Sequence, residues 1–433
     1  MKILRNVGAA VWWLLLAAFL IVNLRLYSPS PLPEVGDSST RNIFTQLAAQ
    51  QRYLKNNSAV DMQNLFPEGY AFSYLFHGLT WVEIGLRYPW HLENAIARAK
   101  WALTFVDRQE ASAPFPKDLP PDHGMFYACW RAHLVAGIAR IDTRPETVQR
   151  LQDECDQIAK TLANSTTPFP PSYENSSWPC DSFPGIHAMA VHDAITKQNR
   201  YEKAIQDWLA NISVGIDDET GLICHLANPV NGEPLSVARA TSQTIILRML
   251  PDIDAELAKQ QYRKFREHFF TTTFGYPSIK EFPNGLSGWG DVDSGPLIFG
   301  CSPSATVMTI GLAQIYGDRQ WADVVATTGE AIAWPRMLKH GKSIRRSYAF
   351  GLLPIGEQMV TYSYVARPWL ADPNSMYLDD PWAVSEKWRW PTHGLLAILV
   401  LVTITYHWFS FRRRRRSAAA SAANENVNSD IAK

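Results

Sequence analysis

Between residues 40 and 333 apolar positions recur every three to four residues over successive stretches, with no sustained strand-like alternation and no βαβ rhythm. The spacing predicts helices at Thr40–Lys55, Tyr70–Arg87, His91–Arg108, Gly124–Ile141, Pro145–Ala163, Pro184–Lys197, Tyr201–Ile212, Ser236–Met249, Ala255–Phe269, Ser302–Tyr316 and Asp318–Ala333. Thr40, Ser302 and Asp318 suit helix caps, and Pro145 suits a first turn. The joining segments are rich in Gly, Pro, Asn and aromatics, among them NSTTPFPPSYENSSWPCDSFPG and KEFPNGLSGWGDVDSGPLIFG. Loops of that length inside a compact domain commonly carry function. Helices joined in this way predict an all-α fold in which hairpins close into an (α/α) toroid, with alternate loops lining one mouth. A plain bundle or a solenoid would hold the same helices, but no fixed sequence repeat supports the solenoid.

Two stretches break the amphipathic pattern by being apolar throughout. Val7–Leu24 is uncharged and long enough to cross a hydrocarbon core, with Lys2 and Arg5 before it and Arg25 after it. A cleaved signal peptide competes, but no small-x-small cleavage site follows, so an uncleaved anchor is expected. Gly394–Phe411 is a second such run, followed at once by Arg412–Arg416, which favours the cytoplasmic side; a nucleic-acid or localisation patch explains the arginines but not the run. Trp388, Trp390, Tyr406 and Trp408 suit an aromatic belt. The expected organisation is an anchor (1–25), a proline-rich linker (26–39), a toroid domain (40–370), a juxtamembrane linker (371–391), a second transmembrane helix (392–411) and a basic tail (412–433). Both termini are expected in the cytoplasm, with the main domain outside it.

Composition changes this picture in two ways. The chain has 41 basic and 41 acidic residues, a zero balance that argues against a nucleic-acid binder. Without the nine basic and two acidic residues of the two ends, 32 basic residues face 39 acidic ones, so the outer domain is mildly acidic. Five cysteines, at 129, 155, 180, 224 and 301, are too few for a disulfide scaffold and too widely spaced for a zinc ribbon. Their odd number leaves at least one thiol unpaired or paired between chains.

Four groups of residues hold candidate chemistry. On the helix GMFYACWRAHLVAGIARI, Phe126, Trp130, His133 and Gly137 share one face, with Tyr127 beside them; the plain alternative is a hydrogen-bonded core histidine. Cys180 and Asp181 precede a helix start, where the dipole favours a thiolate and the aspartate opposes it. Alternatively Asp181 or Ser182 caps that helix and Cys180 is disulfide-bonded. Asp291 and Asp293, bracketed by Gly290 and Gly295, form a polar turn able to supply acid and base, to cap the next element, or to bind calcium weakly. Glu68 lies at a turn before a helix face bearing Tyr70, Tyr74 and His77, and Arg239 with Ser242 marks another helix start, either an anion clamp or a cap. His187 and His192 are too far apart around a helix to share a metal. No metal or other cofactor is expected.

The stretches FPEGYAFSYLFHGLTWVEIG, CWRAHLVAGIARI, WPCDSFPGIHAMAVHD, DDETGLICH, ARATSQTIILRML and DVDSGPLIFG, in that order, resemble the linalool dehydratase/isomerase-like superfamily over roughly residues 40–360. The resemblance implies an α/α toroid that dehydrates or isomerises a terpene alcohol without a cofactor. It carries catalytic roles onto His133 and Cys180, and onto Asp61 and Tyr74 as the N-terminal Asp and Tyr of the site. The family's second cysteine falls where this chain has Met189, so a two-thiol mechanism does not transfer unchanged.

The expected function is therefore a membrane-anchored, cofactor-independent lyase or isomerase of a hydrophobic, terpenoid-like alcohol. Cys180 and His133 would transfer protons, with Asp181, Asp291, Asp293, Tyr127, Trp130, Glu68 and Arg239 lining the substrate site. Two alternatives stand beside it: a glycan-active toroid enzyme using carboxylate pairs, and a non-catalytic, membrane-anchored binding protein. The expected partners are a hydrophobic small molecule and the membrane.

Overall fold

The computed structural model describes residues 2–33, 38–173, 175–340, 343–348 and 351–431. Part of the expected linker, residues 34–37, lies outside the described residues. Helices α1 (Lys2–Arg25), α2 (Ser38–Lys55), α3 (Ser58–Gln63), α4 (Gly69–Arg87), α5 (Leu92–Val106), α6 (Gln109–Ser112), α7 (Gly124–Ile141), α8 (Pro145–Asn164), α9 (Ser182–Thr196), α10 (Glu202–Asn211), α11 (Ala240–Met249) and α12 (Ala255–Phe269) are followed by the hairpin β1 (Phe270–Thr273) and β2 (Tyr276–Ile279). Then come α13 (Pro303–Tyr316), α14 (Arg319–Ile332), a second hairpin of β3 (Arg336–His340) and β4 (Ser343–Ser347), α15 (Pro354–Tyr364) and α16 (Trp390–Ile431).

The chain forms two compact units. The first comprises Met1–Pro29 and Ser385–Lys433. Within it α1 packs on α16, the Trp12 indole donates to Thr403 Oγ1 at 2.9 Å, and Tyr27 meets His393 Nε2 at 2.7 Å. Val7–Arg25 and Trp390–Ala420 are long and apolar enough to cross a membrane, by length and composition.

The second unit, Ser30–Val384, is a closed double ring of helices. α4 packs on α7, α7 on α9, α9 on α11, α11 on α13 and α13 on α15, and α15 closes back on α4. Outside these six, α2, α5, α8, α10, α12 and α14 each lie against an inner helix next to them in sequence or in the ring. Closure of the ring excludes the solenoid and the plain bundle. The sequence explains the two layers. α4 buries nearly every residue from Gly69 to Gly85, as a helix covered on all sides must, whereas α8 buries only a stripe of Thr147, Leu151, Glu154, Cys155, Ile158 and Thr161. Inner helices approach closely where side chains vanish: a Cβ on Gly137 would lie 2.7 Å from the Trp369 ring and 2.9 Å from Val82.

All eleven expected helices are present with small shifts at their ends. Ser302 caps α13, its hydroxyl accepting from Ala305 N at 3.1 Å, and Pro145 opens α8. Thr40 lies inside α2 instead of capping it. Asp318 does not cap α14; its carboxylate takes the Tyr262 hydroxyl at 2.7 Å and the Trp382 amide at 2.6 Å. The sixth inner helix, α15, has no counterpart in the apolar pattern. All five cysteines are free, which removes the disulfide alternative for Cys180.

Candidate active site

The inner helices converge at their N-terminal ends, and that mouth is built from cap positions. Glu68, Asp181 and Arg239 occupy the N-cap positions of α4, α9 and α11, yet none of the three side chains caps its own helix. Each is left to face the mouth. The start of α7 is satisfied instead by backbone: Met125 N donates to Pro171 O at 3.1 Å, and Gly124 sits at φ +81° directly against Ser172 O, where no Cβ fits. This contact brings Pro171 and Ser172 to the mouth. The loop that carries Asp291 and Asp293 is pinned at its ends by the Lys280–Cys301 bridge, and inside by Ser302 Oγ donating to Ser294 O at 2.9 Å.

Like charges crowd here. The Tyr173 hydroxyl donates to Glu68 Oε1 at 2.5 Å. Asp181, buried, has its carboxyl pushed up to about 8: loss of hydration is the main cause, Glu68 and Asp293 add to it, and Ser172 and Trp130 oppose it. A helix N-terminus favours an anion by about 1 kcal/mol at most at an ordinary site, less than one pKa unit, so burial and crowding win. Asp293 is exposed on the loop. Its carboxyl rises to about 7 through lost hydration and then Glu68, Asp291 and Glu281, with Arg239 opposing. Burial likewise pushes the Cys180 thiol up, reinforced by Asp181 and Asp293.

The cation at this mouth is already engaged. Arg239 Nε donates to Glu281 Oε1 at 2.9 Å, and its Nη1 pairs with Asp291. Burial alone would raise Asp291, but Arg239 and Ser294 outweigh it and hold the carboxylate low. Asp291 and Asp293, equivalent in the sequence, thus have opposite electrostatics: one is paired, the other crowded by acids. Among the described residues no group of His, Cys, Asp or Glu is arranged to hold a metal ion.

Other expected site residues lie elsewhere. His133 is buried deep in α7, stacked on Trp369 with ring centroids 4.7 Å apart, its Nδ1 3.1 Å from His187 Nδ1. His187 Nε2 in turn meets Asp252 at 2.9 Å, and Asp252 accepts the backbone amides of Trp369, Leu370 and Ala371, each at 2.8 Å. Trp130 lies on the same helix as His133, edge-on to it at 6.0 Å. Tyr74 and Tyr127 face outward, to α5: Tyr74 stacks on Phe105 at 4.4 Å, and Tyr127 donates to Val106 O at 2.7 Å. Asp61 is exposed on α3, outside the cluster. Met189 is fully buried.

Three members of the mouth escaped sequence reasoning. Tyr173 and Glu281 had no motif to mark them. His225 lies in the loop before α11, its Nδ1 2.6 Å from Ser242 Oγ. The only available signal was the proximity of a polar helix start to a histidine in a long loop. An open cleft of about 620 Å³, lined by Ser213, Val214, Asp217, Glu219, Glu233 and neighbours, shares no lining residue with the carboxylate cluster.

No family model matches the chain, and no curated protein matches it. Among solved structures it is similar to a possible GH105 family member from Klebsiella pneumoniae (15% identity, 77% of this chain and 94% of that one, TM-score 0.45). It is also similar to a GH76 alpha-mannanase of Bacteroides thetaiotaomicron (10%, 68% and 84%, TM-score 0.41) and to a D-mannose isomerase (10%, 75% and 86%, TM-score 0.41). The toroid assignment rests on this chain's own helix contacts. The expected link to linalool dehydratases finds no support among these matches.

Proposed function

We propose that the chain is an acid–base enzyme acting at the mouth of the ring on a hydroxyl-rich, carbohydrate-type substrate. The carrying observation is the placement of Asp181, a buried carboxyl at the N-cap position of α9 in a mouth it shares with Glu68 and Asp293, where lost hydration and those acids push it up to about 8. A neutral carboxylic acid beside carboxylates is the arrangement that protonates a leaving oxygen while a second carboxylate activates water or a substrate hydroxyl. Asp181 is the donor in this reading, and Glu68, oriented by Tyr173, or Asp293 is the acceptor. The surroundings suit hydroxyl groups better than a terpene chain, and Trp289, 94% exposed in the Asp291–Asp293 loop, offers a flat face for a sugar ring.

A second reading, a lyase or isomerase of a terpenoid-like alcohol, is favoured by one observation: Cys180 is a free thiol beside Asp181, near an aromatic wall in which Phe72 meets Phe126 and Trp130 edge-on at 5.1 and 5.2 Å. The two apolar helices would tether either enzyme to a membrane, with the termini on the arginine-rich, cytoplasmic side. The test is purified full-length protein in detergent, assayed against aryl glycosides and oligosaccharides in parallel with prenyl alcohols. Turnover of glycans, lost in Asp181→Asn, supports the first reading; turnover of prenyl alcohols alone sinks it in favour of the second.

A further inference from the structure

Two short turns in the connection from α12 to α13 break the same sequence rule. Thr273 pairs with Tyr276 across a two-residue hairpin turn, Phe274–Gly275, and Ile298 pairs with Cys301 across another, Phe299–Gly300, closed by two backbone bonds of 3.0 Å. All four turn residues have positive φ: 51° and 85° in the first turn, 52° and 79° in the second. In that hairpin geometry the first position normally takes Asn, Asp or Gly, because a bulky side chain is strained there. This chain places phenylalanine at both. Burial does not offset the strain: the two rings are 64% and 72% exposed, and they meet edge-on with centroids 5.0 Å apart.

The turns are braced against each other. Lys280 bridges to Cys301, and Thr273 Oγ1 lies 3.3 Å from Cys301 Sγ, so the two rings project together. Ile298, Leu286 and Val292 on the same connection are exposed as well. No charged residue occurs in 270–279, 282–290 or 294–301. Exposed apolar side chains grouped on uncharged loop tips mark a surface that is covered in use.

A bilayer is the cover that the chain itself brings within reach. The last segment of the domain passes the foot of the first turn, where Trp382 meets Phe270 with ring centroids 5.1 Å apart. Phe274 is four residues, about 14 Å, further along the hairpin. Eight residues, a span of at most about 29 Å, lead from Trp382 to Trp390, the first residue of α16. We propose that the twin Phe–Gly turns are an interfacial membrane contact: Phe274, Ile298 and Phe299 insert at the headgroup boundary of the bilayer that holds α1 and α16, and keep the loop of Asp291 and Asp293 at the membrane surface. The inference rests on α1 and α16 being membrane anchors and does not depend on the substrate.

The test uses the full-length protein in phosphatidylcholine/phosphatidylglycerol vesicles, with Ile298→Cys carrying a nitrobenzoxadiazole label; the five native thiols are buried, so the introduced one is labelled selectively. Gln157→Cys, exposed on α8, carries the same label as the control. Quenching by nitroxide-labelled lipid is expected to be about threefold stronger at 298 than at 157, with blue-shifted emission. Replacing both rings by a residue that the turns favour, Phe274→Asn with Phe299→Asn, should bring quenching at 298 down to the control level with an unchanged or raised Tm. Equal quenching at 298 and 157 would overturn the proposal, as would quenching that survives in the Asn pair, or a Tm lowered in that pair, which would make the rings structural. An Asn pair that loses turnover of polysaccharide alone, with 298 unquenched, would give the turns to a glycan chain and overturn it too. Release of the wild-type chain from vesicles by alkaline carbonate would sink the anchor reading itself, and the proposal with it.

Discussion

The two ends of the inner ring hold charged groups in different ways. At the C-terminal end of the inner helices Glu83 Oε1 pairs with Arg248 and takes the Trp369 indole N–H at 2.9 Å while its Oε2 is buried without a partner, and Asp252 holds His187 and three backbone amides. Arg248 also donates to Arg367 O at 3.0 Å. At the N-terminal end Glu68, Asp181 and Asp293 face one another, and the nearby Arg239 is committed to Glu281 and Asp291. The paired end closes the ring beneath Trp369. At the crowded end burial and neighbouring acids push the Asp181 carboxyl up, the electrostatic pattern that the proposed active site requires.

That contrast predicts mutations of opposite sign. Arg248→Ala strands Glu83 in the interior, and chemical denaturation should show a loss of about 3–5 kcal/mol. An unchanged midpoint would show that the two ends do not differ as described. Asp181→Asn acts the other way on stability. The folded carboxyl, near 8, holds a proton that the unfolded chain, at 3.8, releases between those values. Its contribution is therefore fully present below about pH 4 and is lost as pH rises toward 8. The asparagine variant should gain on the order of 4 kcal/mol over wild type at pH 7 and little at pH 4, while losing about 10²-fold or more in turnover. Denaturation at the two pH values checks the first, and the glycan assay the second.

Smaller effects test the packing between the ends. Gly137→Ala must displace Trp369 or Val82, so thermal unfolding should show a loss of about 1–3 kcal/mol, and more if the Asp252 anchor on Trp369 moves with it. Tyr74→Phe removes only a long 3.4 Å bond to Leu54 O and should change stability by under about 0.5 kcal/mol, with turnover intact. A large loss of turnover would return Tyr74 to the site.

Much of this architecture is legible in the sequence, and the gaps have physical causes. Five of the six inner helices follow from apolar spacing. α15 does not, because it buries Glu357, Gln358 and Thr361, of which Glu357 is met by Ser347 and Tyr348 and Thr361 by Gln50 from distant segments. The face of Phe126, Trp130, His133 and Gly137 points inward as spacing predicts, since Trp130 meets Phe72 and Gly137 meets Trp369. Spacing gives a face but not its partner, and so it could not tell that Tyr74 and Tyr127 turn to α5. Glu68, Asp181, Asp293 and Arg239 were visible as polar residues at loop ends. Their mutual crowding was not, because it arises from segments far apart in sequence, as does the bond between His225 and Ser242.

The central claim is that the mouth keeps Asp181 protonated. Infrared difference spectroscopy of the full-length protein, wild type minus Asp181→Asn, reads the protonated carboxyl stretch directly as pH is raised. The account predicts a band present at pH 6 that titrates away near pH 8; a band already absent at pH 6, with a midpoint near 4, would contradict it.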